Sequence, residues 1–428
     1  VTYYKFTGNL VSIVPDAGSH GRRSVMCTVV DWMDAAATAK VKDVTVQTDK
    51  RSDELIDLLV TNSVTKQPLA TSYDTGQSTF AYAFDNLLDA QTPVLRALSD
   101  CVISELGYLY VKGDITQGGT LKFEDRHARP KYGAADATFD NSMMGLSVNR
   151  TRSDVMNRVY VVVHPRTEVA GTTVLYELTT TASVPSVAVG EAIQIIAPFK
   201  EAEIRGYRIA GTSVVTPASG TDWVANSAAD GTGTNITSDV AVTLSNTSAN
   251  SVTFNIQNNA SVTAYITTLQ IRGSALKDVT ETLFSAASVP SQGTYGENDV
   301  RISMRYESNT GTFATEIANW ILNTTKDARY VISGFSLASN STDALMTQSL
   351  VREPGDKITV SETVTGLAAT GGSGAEIGYF INGVSMTIRP GGIINTSWVL
   401  APAEQQAAWV LNQVGASEMG ISTSLGFA

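Results

Sequence analysis

The chain has 428 residues, 43% of them hydrophobic and 17% charged, with a formal net charge of -11 at pH 7. That length exceeds one ordinary core and points to two to four domains, and the composition excludes a disordered chain. The acidic balance argues against gripping nucleic acid, while it suits a duct through which DNA slides without sticking.

Ser, Thr, Asn, Gly and Val are plentiful and long Leu/Glu/Lys runs are scarce, so a mainly β fold with some α is expected. Tyr3 to Ile13 and Ser24 to Val30 read as two strands joined by the turn-rich PDAGSHGRR. The opening residues alternate like a strand and not like a signal peptide. Starting on Val1 in mid-strand without a methionine, the chain is expected to lack an upstream segment. A short helix begins near Asp31, with Trp32 and Met33 as its apolar anchor. Ser52 and Asp53 read as the N-terminal cap of ELIDLLV, whose buried stripe is Leu55, Ile56, Leu58 and Leu59.

The clearest helix is TPVLRALSDCVISEL, from Thr92 to Leu106: Thr caps it, Pro93 takes the first helical position and Gly107 stops it. A hairpin follows, made of YLYVK, the turn GDITQGG and TLKFEDR. Leu121 and Phe123 fall on one of its faces, Lys122 and Glu124 on the other. Beyond Pro130 the sequence is polar and turn-rich until RVYVVVHPR, a β-branched strand ending at Pro165.

From Ile209 to Ile271 there is no Lys or Arg and only three Asp. Ser, Thr and Asn alternate there with aliphatic residues, which predicts a β-sandwich over about 172–275. Its sequons at Asn235, Asn246 and Asn259 are what such a composition generates by chance, with no secretion signal beside them. The last third holds the helix TFATEIANWILNTT, with Phe313, Ile317, Trp320 and Ile321 on one stripe. Strands at YVISGFSLA, KITVSETV, GYFINGVSMTI and NTSWVLAP follow. No run of about 18 apolar residues is present, so no membrane-spanning helix is predicted.

Residues able to do chemistry are few. Cys27 and Cys101 lack any zinc or redox spacing and read as two buried free thiols. The three histidines, His20, His127 and His164, accompany neither a GxSxG elbow nor an HExxH helix and read as structural or surface residues. Glu124 and Asp125 are neighbours on one strand, so they point to opposite faces and do not flank one glycosidic bond. An ion pair or hydrogen-bonded corner with Arg126 or Arg129 is expected instead. GGSGAEIG, from Gly371 to Gly378, lacks the GKS or GKT of a phosphate loop, and GDITQGG lacks the acidic series of a calcium loop. No enzyme, cofactor or metal is predicted.

YYKFTGNLVSIVPDAGSHGRRSVMCTVVDWMDAA, then RSDELIDLLVTN, then ALSDCVISELGYLYVKGDITQGGTLKFEDRHAR resembles the minor tail, or baseplate hub, proteins of long-tailed bacteriophages and prophages, closest to those of siphophages. The matching elements are Phe6 to Gly8, Asp31 with Trp32, Glu105 to Gly107, and Phe123 to Arg126. VTAYITTLQIRGSAL, Tyr295 to Glu297 and the chain end MGISTSLGF look like the later part of the same proteins.

The resemblance implies split β-barrel domains related to the tail-tube fold, with three copies presenting six barrels so that a threefold tip caps a sixfold tube. It implies a non-enzymatic homotrimer at the virion tail tip. The partners would be the distal tail protein, the tape-measure protein and fibre or tip proteins, and DNA would pass without specific binding. On this reading 1–130 is a first hub domain, 131–171 a connecting segment and strand of a second hub region, 172–275 an inserted sandwich, and 276–428 a C-terminal hub domain. Glu124, Asp125, Arg126 and Arg129 then form a domain or subunit corner. A second reading is a tail-borne or extracellular carbohydrate-binding adhesin or depolymerase, its sugar contact made through Trp223.

Overall fold

The computed structural model of the chain describes residues 2–16, 18, 24–113, 119–129, 134–140, 142–149, 152–169, 171–178, 184–200, 209–278, 281–308, 312–328, 331–360 and 377–403. His20, the middle of GDITQGG, most of GGSGAEIG and the chain end MGISTSLGF lie outside the described residues. Within them the chain is mostly strand, with six α-helices: α1 (Trp32–Thr38), α2 (Ser52–Ser63), α3 (Val94–Glu105), α4 (Val289–Tyr295), α5 (Thr312–Thr325) and α6 (Asp343–Val351). The expected class, mainly β with some α, is the observed one.

Among the described residues four buried apolar clusters organise the molecule. The first is built by α1, α2 and α3 with Phe80, Phe84, Leu121 and Phe123. α1 starts where the Asp31 carboxylate accepts from the Met33 N–H at 3.0 Å, satisfying one of the free donors of the first turn. The cap of α2 lies one residue earlier than the sequence suggests. Glu54 reaches back to the Arg51 N–H at 2.9 Å, while the Ser52 hydroxyl turns inward and donates to Glu105 at 2.6 Å.

α3 also ends differently from expectation. Leu106, not Gly107, takes the left-handed conformation, with φ of 60°. Gly107 is needed for close approach: a Cβ there would stand 2.5 Å from the Glu124 carbonyl oxygen. The bare backbone lets the helix end lie against the hairpin it feeds. That hairpin pairs Tyr108–Lys112 with Thr120–Glu124, and Ala70–Tyr73 joins it in parallel.

The second cluster fills the space between two sheets. One is organised on the long strand Ala264–Asp278, which pairs with Arg166–Glu168, Thr173–Glu177, Ser186–Val187, Ala210–Val215 and Trp223–Asn226. The other is Ala192–Pro198, Ser251–Asn258 and Val240–Ser245. The third cluster lies on a six-stranded sheet in the order Ala137–Phe139, Lys357–Val360, Ile377–Arg389, Ile393–Pro402, Val331–Ala338, Met144–Asn149. Phe139, Phe335 and Trp398 meet at its centre, with ring centroids 5.1–5.4 Å apart.

In the fourth cluster, α5 covers a sheet whose central strand is Arg158–Val163. This strand pairs antiparallel with Thr282–Ala287 and parallel with Asp299–Met304. The excursion between the first two strands, which contains the second cluster, thus leaves and returns through neighbours in one sheet. Val159, Val161, Val162 and Val163 are all buried, which is why VYVVV reads as an unbroken apolar run and not as an alternation.

Candidate functional site

The FEDR corner is a buried junction between the first cluster and the C-terminal sheet. Glu124 ends a strand, and its side chain accepts from Arg129 Nε and from the Tyr110 hydroxyl, each at 2.7 Å. Arg129 lies over the Tyr108 ring, 3.7 Å from its centroid, and its Nη1 donates to Asn382 at 2.7 Å. Gly355 closes over the same spot. Its φ is +93°, and a Cβ there would stand 2.7 Å from a Glu124 carboxylate oxygen. Nearby, Lys5 pairs with Glu353, and Lys112 stands 3.9 Å from Asp356. The two ion pairs bring Lys5, near the start of the chain, and Lys112 of the hairpin to one turn at 353–356.

Asp125 turns the other way, as strand neighbours do, accepting from Gln77 Nε2 at 2.5 Å and from the His127 N–H at 2.8 Å. Arg126 is only 3% exposed. It donates to Ser78 Oγ at 2.8 Å, lies 3.6 Å from Glu105 and caps the Phe313 ring of α5 at 4.8 Å. Among the described residues its Nε and Nη2 have no hydrogen-bond partner. Burial pulls its pKa down, and the neighbouring carboxylates Glu105 and Asp125 oppose that pull.

Glu105, which the sequence reading gave no part in the corner, is its buried acid. Fully buried, it accepts from Ser52 Oγ, from the Gln77 N–H at 3.0 Å and from the Ser78 N–H at 3.1 Å. The signal was present in the spacing. Val94, Ala97, Leu98, Cys101, Ser104 and Glu105 form the buried face of α3, so a carboxylate falls on an otherwise small or apolar stripe.

A second junction was not foreseen. Arg166 grips Asp85 through two bonds of 3.0 and 3.1 Å, and Arg305 bridges Asp85 at 2.8 Å and Asp278 at 2.9 Å. His164 is buried beside them, and Tyr306, the residue after Arg305, lies inside the first cluster. These residues are scattered over more than 200 positions, and only the fold brings them together.

The third feature is an exposed hairpin, Asn9–Asp16 paired with Ser24–Val30, in which neither strand has a second neighbour among the described residues. The register pairs Leu10 with Val29, Ile13 with Cys27 and Pro15 with Val25, across a bulge before Ser12. Partners share a face, so one face is wholly apolar. Leu10, Ile13, Val25 and Val29 on it are exposed, as are Val14 and, at 72%, Met26 on the other face. Cys27 is exposed as well, so only Cys101 is the buried thiol both were expected to be. A strand can present apolar residues on either face without a core behind it, and the alternation does not say which are covered. Gly8 before the hairpin is packed under Phe6, and a Cβ there would stand 2.3 Å from the Val30 carbonyl oxygen.

Trp223 is 5% exposed and belongs to the apolar cluster between the two sheets. Its ring offers no open face to a sugar, which corrects the glycan contact suggested from sequence. Asp222 beside it is held by Arg272 at 2.6 and 2.8 Å, and the guanidinium lowers its pKa against the effect of burial. Among the described residues, no group of three or more His, Cys, Asp or Glu is placed to hold a metal, and no helix is long and apolar enough to cross a membrane.

No protein-family model matches the chain, and no curated protein matches it. Solved structures do show a distant likeness. A tail protein from Neisseria meningitidis MC58 is similar at 8% identity and a TM-score of 0.46, over 92% of this chain and 79% of that one. The prophage MuSo2 43 kDa tail protein from Shewanella oneidensis is similar at 8% identity and a TM-score of 0.41, over 93% and 76%. The prophage tail protein gp18 from Listeria monocytogenes EGD-e is similar at 6% identity and a TM-score of 0.38, over 91% and 75%.

Proposed function

We propose that the chain is a structural protein of a phage tail tip, a hub that assembles as a homotrimer and caps the tail tube. It joins the distal tail and tape-measure proteins above to fibre or tip proteins below, and rearranges to let DNA pass. The single observation that carries this reading is the unpartnered apolar hairpin Asn9–Val30. A two-stranded sheet is marginal in water by itself, and one with an apolar face and two unpaired edges is a template for another chain. A ring of copies, each lending its hairpin to the next, covers that face and closes without leaving an end.

The sequence resemblance supports the same reading: Phe6 to Gly8 and Asp31 with Trp32 flank the hairpin, and Glu105 to Gly107 with Phe123 to Arg126 supply residues of the buried junction. In this proposal 1–130 is a first hub domain, 131–171 a connecting segment and strand of a second hub region, 172–275 an inserted sandwich and 276–428 a C-terminal hub domain. The net charge of -11 suits a lumen that DNA traverses without binding.

The test is the mass of the purified chain by light scattering, with and without Val25→Asp. Three copies for the wild type and one for the variant is the expected result. A wild-type monomer, or a variant that still forms trimers, would remove the hairpin from the account.

A further inference from the structure

His164 stands just past the buried strand Arg158–Val163, 5% exposed, with both ring nitrogens engaged. Arg305 Nη1 lies 3.1 Å from Nδ1. A guanidinium only donates, so Nδ1 accepts and the proton sits on Nε2, which donates to Ser303 Oγ at 2.9 Å. The contact therefore selects the neutral imidazole.

The arginine it holds is the one that joins two parts of the molecule. Arg305 reaches Asp85, next to Phe84 of the first cluster, and Asp278 at the end of the long strand, and the next residue, Tyr306, is inserted between Phe80 and Phe84. The charges facing the ring favour keeping it neutral. Arg166 donates to the His164 carbonyl and Arg305 to its ring, whereas Asp278 is already taken by Arg305. Glu281 lies 3.8 Å from Nδ1, but it is half exposed and pairs with Arg301 at 3.1 Å, so its pull on a proton is screened. Arg96 and Asp100 on α3 face the ring across a cleft of about 880 Å³ that also borders α5 and opens to solvent. Burial and the two arginines lower the His164 pKa below its ordinary 6.5.

We propose that His164 is an acid-sensitive latch: its neutral ring holds Arg305 across the junction between the α1–α3 cluster and the Arg158–Val163 sheet, and its protonation releases that junction. A proton on Nδ1 sets N–H against N–H, so Arg305 must withdraw, and its bridges to Asp85 and Asp278 loosen with it. Protons reach the ring through the cleft. The latch does not depend on how copies of the chain assemble.

The sign follows from linkage. The closed state keeps the ring neutral, while the open state binds a proton at the ordinary pKa of about 6.5, so opening is favoured as pH falls through that value. Opening at pH 5.5 therefore exceeds that at pH 7.5, by up to about tenfold in the limit where the closed ring takes no proton.

Hydrogen exchange of the full chain, followed on the amides of 299–307 and corrected for intrinsic rates, reads this directly. A loss of protection between pH 7.5 and 5.5, of up to about tenfold, is expected for the wild type, and none for His164→Gln, which cannot take the proton. Equal losses in both, or none in the wild type, would overturn the latch. If the variant does not fold, NMR titration of the His164 ring in the wild type decides. A midpoint below 6.5 that moves the Tyr306 amide supports the latch, and a midpoint at or above 6.5 overturns it.

Discussion

The ring of Tyr306 meets that of Phe84 edge-on, with centroids 5.8 Å apart, inside a cluster otherwise built from residues 32–123. A residue from the last third of the chain thereby completes the first core. Tyr306→Ala is expected to cost about 3–5 kcal/mol, as emptying an aromatic site in a packed core does. Tyr306→Phe keeps the ring and loses only a 3.3 Å hydrogen bond to Asn86, so its cost is about 1 kcal/mol or less. Urea unfolding of the two variants checks the contrast, and equal costs would show that the hydroxyl, not the ring, holds the parts together.

Arg129 and Glu124 form a nearly buried pair at the other junction. Removing either partner strands a charge, so Arg129→Ala and Glu124→Ala are each expected to lose about 3–5 kcal/mol. The double variant should lose less than the sum, by about 1–3 kcal/mol of coupling. A double-mutant cycle in urea that returned simple additivity would mean that the ion pair contributes nothing beyond its packing.

Gly107 and Gly293 provide a matched pair of backbone tests. A methyl group at Gly107 meets the Glu124 carbonyl at 2.5 Å, so Gly107→Ala is expected to destabilise by about 1–3 kcal/mol. Gly293 sits inside α4 with open space around it, and Gly293→Ala is expected to be neutral or to stabilise by up to about 1 kcal/mol. Thermal melting of both variants distinguishes close approach from a general intolerance of substitution.

Local signals were read well where one physical cause dominates. Asp31 caps α1 where a helix was expected to begin, and Leu121 with Phe123 point inward, because capping and strand alternation act within a few residues. The long-range pieces were not legible. Asp85, Arg166 and Arg305 carry no shared spacing, and Tyr306 looks like any strand-end aromatic until the fold delivers it to Phe80 and Phe84. Trp223 and Cys27 went wrong for opposite reasons. An indole in a polar segment reads as surface yet fills a core, whereas a thiol in an apolar run reads as core yet lies on an unpartnered face.

Cys27 reports on that face. In a monomeric form such as the Val25→Asp variant it is expected to react freely with a maleimide, while Cys101 stays inert because burial raises its pKa and hides it. In the assembled trimer the Cys27 rate is expected to fall at least about tenfold, as for a thiol covered by a neighbour. An unchanged rate in a verified trimer would place the contact elsewhere on the surface.

On the proposed tail-tip reading, the deciding measurement is cryo-electron microscopy of phage particles assembled with this chain. The account predicts a threefold ring at the distal end of a sixfold tube, with the Asn9–Val30 hairpins of neighbouring copies in contact. A chain found along the side of the tube, or as single copies at the periphery with the hairpin facing solvent, would contradict it.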